Sequence, residues 1–325
     1  MKRPASKSYR FSDDDMAAPS QIKFQNQDKN QEQKLNEISK NDKSAEFLYG
    51  TRFGKIILEA MLFTKIPKLL GAFLRSPASK FYVKRFIRKN NIDMSDFQGV
   101  DFKTFNDFFT RKKEITFDSA PTHFISPADS FLSVYEITEN ATFHIKGFDY
   151  TLEDFFGMNE KSWAKTDEAK KTKVKNMIQK FKGGKCLVFR LCATDYHRYC
   201  YVDDGFHAEN NFIEGSLYSV QPVALENYRV FMKNRRSWTL LETKNFGDIA
   251  QIEIGAFSVG GICNQHENHI FTKAEEKGHF DLHGSTIVLL TEKGKIKLLP
   301  EIEESIGKAA ERKVRIGQQI GIVAE

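Results

Sequence analysis

The hydrophobic pattern divides the chain into a polar leader, a helical region and a β-rich region. Residues 1–46 are rich in Lys, Gln, Asn, Asp and Ser and have almost no apolar periodicity, so we predict a disordered leader. From Phe53 to Leu74 apolar residues recur at helical spacing, with an interruption at Pro67, and a second helix is predicted from Ala78 to Lys89. These helices define a basic amphipathic helical region over residues 47–115.

Residues 116–325 are predicted to form a β-rich domain. Short helices are expected after two capping-box patterns, Thr104-x-x-Asp107 and Thr151-x-x-Asp154, and the charged stretch 160–180 also favours a helix. The predicted strands, which are β-branched or alternating and punctuated by Gly, are 185–191, 248–262, 285–291, 296–299 and 318–323. The predicted class is therefore α+β, with a helical N-terminal cap followed by a β-rich domain of sandwich or barrel type.

Basic charge is concentrated in the helical region. The whole chain carries a net charge of only +6, yet ten Lys or Arg and the single acid Glu59 lie between Arg52 and Lys89, interleaved with Phe, Leu, Ile and Tyr. Such a surface suits an anionic leaflet, where each basic side chain contributes about 1 kcal/mol. The alternative is a helix pair that packs on the core with a solvated outer face. No recognition motif accompanies the charge, so nucleic acid is not an expected partner.

Cysteine usage and hydropathy indicate the compartment. The four cysteines show no Cys-x-x-Cys spacing, and the chain does not open with a signal-peptide pattern, so we expect a reducing, cytoplasmic setting. No apolar stretch approaches the roughly 20 residues of a membrane-spanning helix. Any membrane contact is expected to be peripheral, on the cytoplasmic side of the cell membrane.

Five short motifs in a fixed order carry a family resemblance. They are Phe105-Asn106-Asp107-Phe108-Phe109-Thr110-Arg111, Ser126-Pro127-Ala128-Asp129, Asp195-Tyr196-His197-Arg198, Lys277-Gly278-x-Phe280 and Gly284-Ser285-Thr286. Together they resemble the phosphatidylserine decarboxylases from about Tyr49 to the end. The Gly-Ser-Thr turn alone would be weak evidence, because such a turn before a strand is common.

The resemblance implies an enzyme that cuts itself. Ser285 Oγ would attack the Gly284 carbonyl, and the chain would separate between residues 284 and 285 into a large and a small chain that remain a heterodimer. Residue 285 would become a covalent pyruvoyl group, which replaces pyridoxal phosphate as the electron sink in decarboxylation. The implied reaction converts phosphatidylserine into phosphatidylethanolamine and CO2, and the implied helical cap is membrane-proximal to a catalytic β-rich domain.

The resemblance also implies a proton relay, and here the sequence departs from the family. Asp129 matches the relay carboxylate, while the family's His-x-x-His reads His197-Arg198-Tyr199-Cys200. A thiol has a pKa near 8.5, and a nearby carboxylate raises it further, so Cys200 is a poor base. We expect His197 or a bound water to take the Ser285 proton, with Cys200 filling space.

Several alternatives stay open at this point. A pyruvoyl decarboxylase of a soluble amino acid, and a lipid-binding homologue that does not mature, fit the same motifs. His283 is a possible extra proton carrier beside the turn. Cys263-x-x-His266-x-x-His269 has spacing unlike most structural zinc sites, so no metal site is predicted there.

Overall fold

A computed structural model of the chain describes residues 43–64, 66–256, 261–282, 285–306 and 311–324. The described part is mixed, with 30% helix and 31% strand, which agrees with the predicted α+β class. The arrangement of a cap over a sandwich or barrel stays a prediction. Most of the predicted leader lies outside the described residues, which begin within it at Lys43.

Four helices open the described chain: α1 (Lys43–Gly50), α2 (Arg52–Phe63), α3 (Ile66–Leu74) and α4 (Lys80–Asn90), with a 3-10 turn, Pro77–Ser79, before α4. The interruption predicted at Pro67 was misplaced, because α2 ends at Phe63 and α3 begins at Ile66. Pro67 therefore lies in the first turn of α3, where a missing N–H removes no intrahelical hydrogen bond.

The remaining α-helices are short except one: α5 (Phe105–Phe109), α6 (Leu152–Phe155), α7 (Glu168–Gln179), α8 (Pro222–Asn227), α9 (Val230–Lys233) and α10 (Pro300–Glu303), with 3-10 turns at Ser95–Phe97 and Trp163–Lys165. The capping box of Thr151 and Asp154 is complete. The other is half formed: Thr104 Oγ1 accepts from Asp107 N, while Asp107 Oδ2 accepts from Lys103 N.

Strands are numbered in chain order, and every strand pair is antiparallel. The largest sheet has the order β12 (His269–Phe271), β7 (Gly205–His207), β9 (Arg236–Thr243), β10 (Asp248–Ile254), β14 (Ser285–Thr291), β5 (Lys185–Leu191), β2 (Ser130–Glu136), β16 (Arg312–Val314), and β8 (Asn210–Ile213) also pairs with β9. This sheet places β14 in its interior.

Three smaller sheets complete the described strands. They are β1 (His123–Ile125), β17 (Gln319–Val323) and β15 (Ile296–Leu298); β11 (Gly261–Asn264), β13 (Glu276–Asp281) and β6 (Arg198–Cys200); and β3 (Thr142–Ile145) with β4 (Phe148–Thr151). The single strand predicted over 248–262 was wrong. The chain leaves the large sheet after Ile254, at Gly255, and its next strand pairs with β13. A glycine inside a strand contributes no side chain to packing, which favours such a break.

The large sheet is buried on both faces. Alternate residues of β14 enter different clusters: Ile287 and Leu289 pack on one face, Val288 and Leu290 on the other. A third cluster joins the helices to the end of β13, and consists of Leu74, Val83, Phe105, Phe108, Phe109 and Leu282. None of the helices within the described ranges is both long enough and apolar enough to cross a bilayer.

Candidate active site

Ser285 is the first residue of β14, and strands hold it on both sides. It lies opposite Leu191 of β5, and its neighbour Thr286 lies opposite both Arg190 of β5 and Ile254 of β10. The Ser285 side chain is 1% exposed. Its hydroxyl is thus removed from bulk water on a strand whose backbone is fixed.

The strand pleat decides which face Ser285 occupies. Side chains two residues apart point to the same face, so Ser285 shares a face with Ile287. Ile287 packs in a cluster that also contains Tyr199, Cys200 and Phe280 from β6 and β13. The serine therefore faces the small sheet that includes β6. This strand begins at the residue after His197 and ends at Cys200.

His197 lies just before β6 and is fully buried. Its Nδ1 is 3.0 Å from the carbonyl oxygen of Asp195, and its ring lies against Phe109 with 3.9 Å between ring centroids. A carbonyl oxygen can only accept, so this hydrogen bond places the proton on Nδ1 and makes Nε2 the basic nitrogen. The His197 carbonyl accepts from Phe280 N at 2.9 Å, which ties the histidine to β13.

Two buried charged groups border the histidine. Asp195 accepts from Lys313 Nζ at 2.6 Å and from Cys192 N at 2.8 Å, yet burial keeps the pKa of its carboxyl above the usual range. Arg111 stacks on Phe108, with 4.7 Å from its guanidinium to the ring centroid, and donates to the Asp195 carbonyl. Burial lowers the pKa of Arg111, while Asp129 and Asp195 partly offset this.

Asp129 is held by the C-terminal segment. Its Oδ1 accepts from Ile316 N at 2.8 Å, and the preceding turn is fixed because Gly317 N donates to Ser126 O at 2.9 Å and Ser126 N to Gln318 O at 2.8 Å. The Ile-Gly-Gln stretch near the end of the sequence therefore positions a carboxylate that lies almost 190 residues earlier in the chain.

Cys200 is buried beside the same turn. Its N–H donates to Pro127 O at 3.0 Å, and its Sγ lies 4.0 Å from Ser126 O. Burial, reinforced by the negative charge of Asp129, raises the pKa of the Cys200 thiol to about 12. At neutral pH the thiol is un-ionised and is not a proton acceptor of useful strength.

The segment that leads to Ser285 is anchored from the helical region. Asp281 Oδ2 forms an ion pair with Arg75 Nη2 at 2.9 Å, and Leu282, buried at a φ of 34°, packs with Leu74 and Phe109. Gly284 and His283 lie outside the described residues. Their predicted roles stay predictions.

Comparisons with known proteins agree with the motifs. A family model described as phosphatidylserine decarboxylase matches residues 105–322. The chain belongs to the phosphatidylserine decarboxylase family. It is 37% identical over 280 residues to phosphatidylserine decarboxylase proenzyme 2 of Clostridium acetobutylicum, covering 85% of this chain and 90% of the relative. It is 39% identical over 285 residues to the proenzyme of Clostridium perfringens (84% and 90%) and 34% over 311 residues to that of Clostridium tetani (92% and 98%).

Three of the five motifs meet around His197. Phe109 lies against the His197 ring, and Arg111 donates to the Asp195 carbonyl. The Phe280 amide donates to the His197 carbonyl. Asp129 lies close enough to Cys200, Arg111 and Asp195 for its charge to shift all three pKa values. Ser285 lies on the face of β14 that packs against β6, the strand that begins at the residue after His197. A surface cleft lined by Lys185 and Glu292 lies at the opposite end of β14 and includes none of the predicted site residues.

A buried polar network that the sequence did not predict lies beside β14. Lys277 Nζ donates to Glu253 Oε1 at 2.8 Å and to Asn264 Oδ1 at 3.0 Å, and both charged side chains are at most 1% exposed. Glu253 lies opposite Ile287 of β14, two residues along the strand from Ser285. Lys277 belongs to the Lys-Gly-x-Phe motif, but its partner Glu253 is 24 residues away in the sequence and lies in another sheet, so the spacing of the motif does not predict the pair.

Proposed function

We propose that this chain decarboxylates phosphatidylserine to phosphatidylethanolamine and CO2, after cutting itself between residues 284 and 285 and converting Ser285 into a pyruvoyl group. The observation that supports this best is the position of Ser285. It is buried at the start of an interior strand, on the face that packs against the sheet next to His197.

The proposed cleavage uses groups of the chain itself. His197 Nε2 accepts the Ser285 proton while Ser285 Oγ adds to the Gly284 carbonyl carbon, which replaces the peptide bond with an ester. Elimination releases the carboxyl end of residue 284, and hydrolysis of the unsaturated residue 285 releases ammonia and leaves a ketone. Asp129 supports this assignment, because its charge disfavours a thiolate at Cys200 and stabilises a nearby cation such as protonated imidazole.

Two variants test the base. We expect His197→Ala to leave one uncut chain and Cys200→Ala to mature into two. The matched control is His144→Ala, because the His144 side chain is exposed and pairs with Asp149. An uncut Cys200→Ala together with a normally cut His197→Ala would reverse the assignment.

The residues around position 285 fit a pyruvoyl group. A serine is the precursor that the group requires, and Ser285 is buried, so a group formed there is shielded from bulk water. The pyruvoyl ketone would supply an electrophile that binds the substrate amine and accepts the electrons released with CO2.

We propose that the two chains stay associated as a heterodimer after cleavage. The small chain would contain β14, which pairs along its whole length with β10 and β5 of the large chain, and β16 and β17, which pair with β2 and β1. Cleavage before Ser285 leaves the pairing of Thr286 to Thr291 with both neighbouring strands in place. The small chain would also supply the Ile316 amide that holds Asp129.

We propose that α1 to α4 dock the enzyme on an anionic leaflet, on the cytoplasmic side. Large apolar side chains are exposed there, among them Phe53 (66%), Ile56 (68%), Leu69 (67%) and Phe81 (71%), as peripheral insertion requires. The Arg75–Asp281 ion pair and the packing of Leu282 on Leu74 join this region to the segment before Ser285. The four unpaired cysteines fit a reducing compartment.

Charge neutralisation tests the docking surface. Lys84, Arg85, Arg88 and Lys89 are exposed on α4, and at about 1 kcal/mol each their replacement by Gln is expected to weaken binding to anionic vesicles by up to about 10³-fold. The matched control replaces the exposed residues Lys161, Lys165, Lys173 and Lys175. Equal binding by the two quadruple variants would refute the docking proposal.

Substrate specificity separates the proposed reaction from its alternatives. Release of CO2 from carboxyl-labelled phosphatidylserine in mixed micelles is expected, with none from free serine, and none from either in Ser285→Ala. CO2 from free serine would favour a soluble amino acid as substrate. A permanently uncut, inactive wild-type chain that still binds vesicles would favour a lipid-binding homologue.

A further inference from the structure

Two histidines and a glutamate converge at the edge of the large sheet, away from Ser285. His266 lies in the loop before β12, His269 begins β12, and Glu275 directly precedes β13. One ligand atom from each lies within 4.8 Å of the others. The two imidazole rings are stacked at 4.1 Å, and their Nε2 atoms are 3.9 Å and 2.5 Å from the same oxygen, Glu275 Oε1.

Hydrogen bonds orient the Glu275 carboxylate and anchor the loop that contains His266. The second carboxylate oxygen of Glu275 accepts from Thr272 N at 3.0 Å and Thr272 Oγ1 at 3.3 Å, which directs Oε1 towards the histidines. The His266 carbonyl accepts from Asn210 Nδ2 at 2.7 Å, and anchors the loop. Outer partners that orient ligating groups in this way are typical of metal sites.

We propose that His266, His269 and Glu275 bind a divalent transition-metal ion, with Zn²⁺ as the first candidate. Two imidazole nitrogens and one carboxylate oxygen suit Zn²⁺, at about 2.0–2.2 Å each, and leave a fourth position for water. Insertion of the ion between His269 and Glu275 replaces their direct hydrogen bond. The side chains are 36%, 27% and 29% exposed, so an ion can enter from solvent.

The sequence analysis predicts no metal site at Cys263-x-x-His266-x-x-His269, and the donor set proposed from the structure shares only the two histidines with that pattern. Cys263 is not the third ligand, because it pairs across strands with His279 and lies near Asp281 in a separate group. Asp281 in that group is already paired with Arg75. The third ligand, Glu275, comes from the far side of a turn at Ala274, where φ is 66°.

The proposed ion would act as a clamp. Glu275 O accepts from Tyr201 N at 2.9 Å, so the site joins the loop before β12 to β13 and to the residue after Cys200. None of the three ligands belongs to the proposed cleavage or decarboxylation machinery. Metal binding at this site is therefore independent of the proposed cleavage and decarboxylation.

Metal retention by the full-length, tag-free protein tests the site. After chelation, the protein is equilibrated with ZnSO4, passed over a desalting column and analysed by atomic emission. We expect about one retained equivalent, and at least 100-fold weaker binding in His269→Ala and in Glu275→Gln. Cys263→Ser and His144→Ala, the matched thiol and histidine controls, are expected to retain the ion.

Co²⁺ substitution provides a second readout that does not depend on variants. The wild-type protein is expected to give visible d–d bands of a low-coordinate N2O site, and His269→Ala to lose them while keeping its circular dichroism spectrum. Failure of the wild type to retain Zn²⁺ would overturn the proposal. So would undiminished retention by folded His269→Ala, or loss of the ion in Cys263→Ser.

Discussion

The Lys277–Glu253 ion pair gives the most quantitative prediction, for the variant Lys277→Met. This change removes an ammonium group that donates to Glu253, Asn264 and Asn210 at 2.8, 3.0 and 3.3 Å. Both amide oxygens keep other donors, from the Tyr199 and Thr239 hydroxyls. The main effect is therefore on Glu253, whose carboxylate stays fully buried with only amide donors.

The expected cost follows from this burial. Removing one partner of a buried ion pair costs about 3–5 kcal/mol, which is a large part of a total stability of about 5–15 kcal/mol. The double variant Lys277→Met/Glu253→Met removes the stranded charge. It is expected to recover at least about 2 kcal/mol, although Gln251 then loses its carboxylate acceptor.

Urea denaturation in a Ser285→Ala background measures this cost, because the uncut chain unfolds as one molecule. The matched control is Lys293→Met. Lys293 forms an ion pair with Glu139, and the two side chains are 68% and 69% exposed. Loss of this exposed pair is expected to lower the free energy of unfolding by less than about 1 kcal/mol. Equal destabilisation by Lys277→Met and Lys293→Met, or a double variant less stable than Lys277→Met, would refute the reasoning.

Two further predictions concern groups next to β14. Burial raises the pKa of Glu311, but hydrogen bonds and charges from Arg190 and Lys146 outweigh it and lower the pKa below 4.5. Because the folded-state pKa is depressed, its stabilisation is full above the unfolded pKa of about 4.5 and is lost as the pH falls through the folded value. Glu311→Gln is expected to cost about 3 kcal/mol at pH 7 and less at pH 3, measured by denaturation midpoints; a cost independent of pH would contradict this. Arg75→Ala is expected to change stability by less than about 1 kcal/mol but to slow cleavage several-fold on a time-course gel, because Asp281 precedes the cut by only a few residues. Lys80→Ala, which breaks the exposed pair with Asp101, is the control, and equal cleavage rates would contradict the prediction.

Local sequence signals predicted the elements that local physics determines. β5 and β14 have the predicted bounds, because each begins after a glycine and is rich in apolar and β-branched residues. The capping box at Thr151 formed as predicted, whereas Asp107 bonded one residue earlier than expected. The break between α2 and α3 was misplaced because a proline is as compatible with a helix start as with an interruption.

The contacts within the candidate site could not be predicted from the spacing of residues in the sequence. Asp129 depends on the amide of Ile316, and Lys277 on Glu253, across separate strands. The proposed metal ligands show the same limit, because Cys263 is closer in sequence to His266 than Glu275 is, yet a cross-strand pairing takes it elsewhere. Tertiary pairing, rather than residue order, selects which polar groups meet.

Intact-mass analysis of freshly purified wild-type protein tests the central claim most directly. The account predicts two species: a large chain ending at Gly284 and a small chain of residues 285–325 whose first residue has the mass of a pyruvoyl group, with ammonia lost. A single species with the full mass of the unmodified 325-residue chain would contradict it.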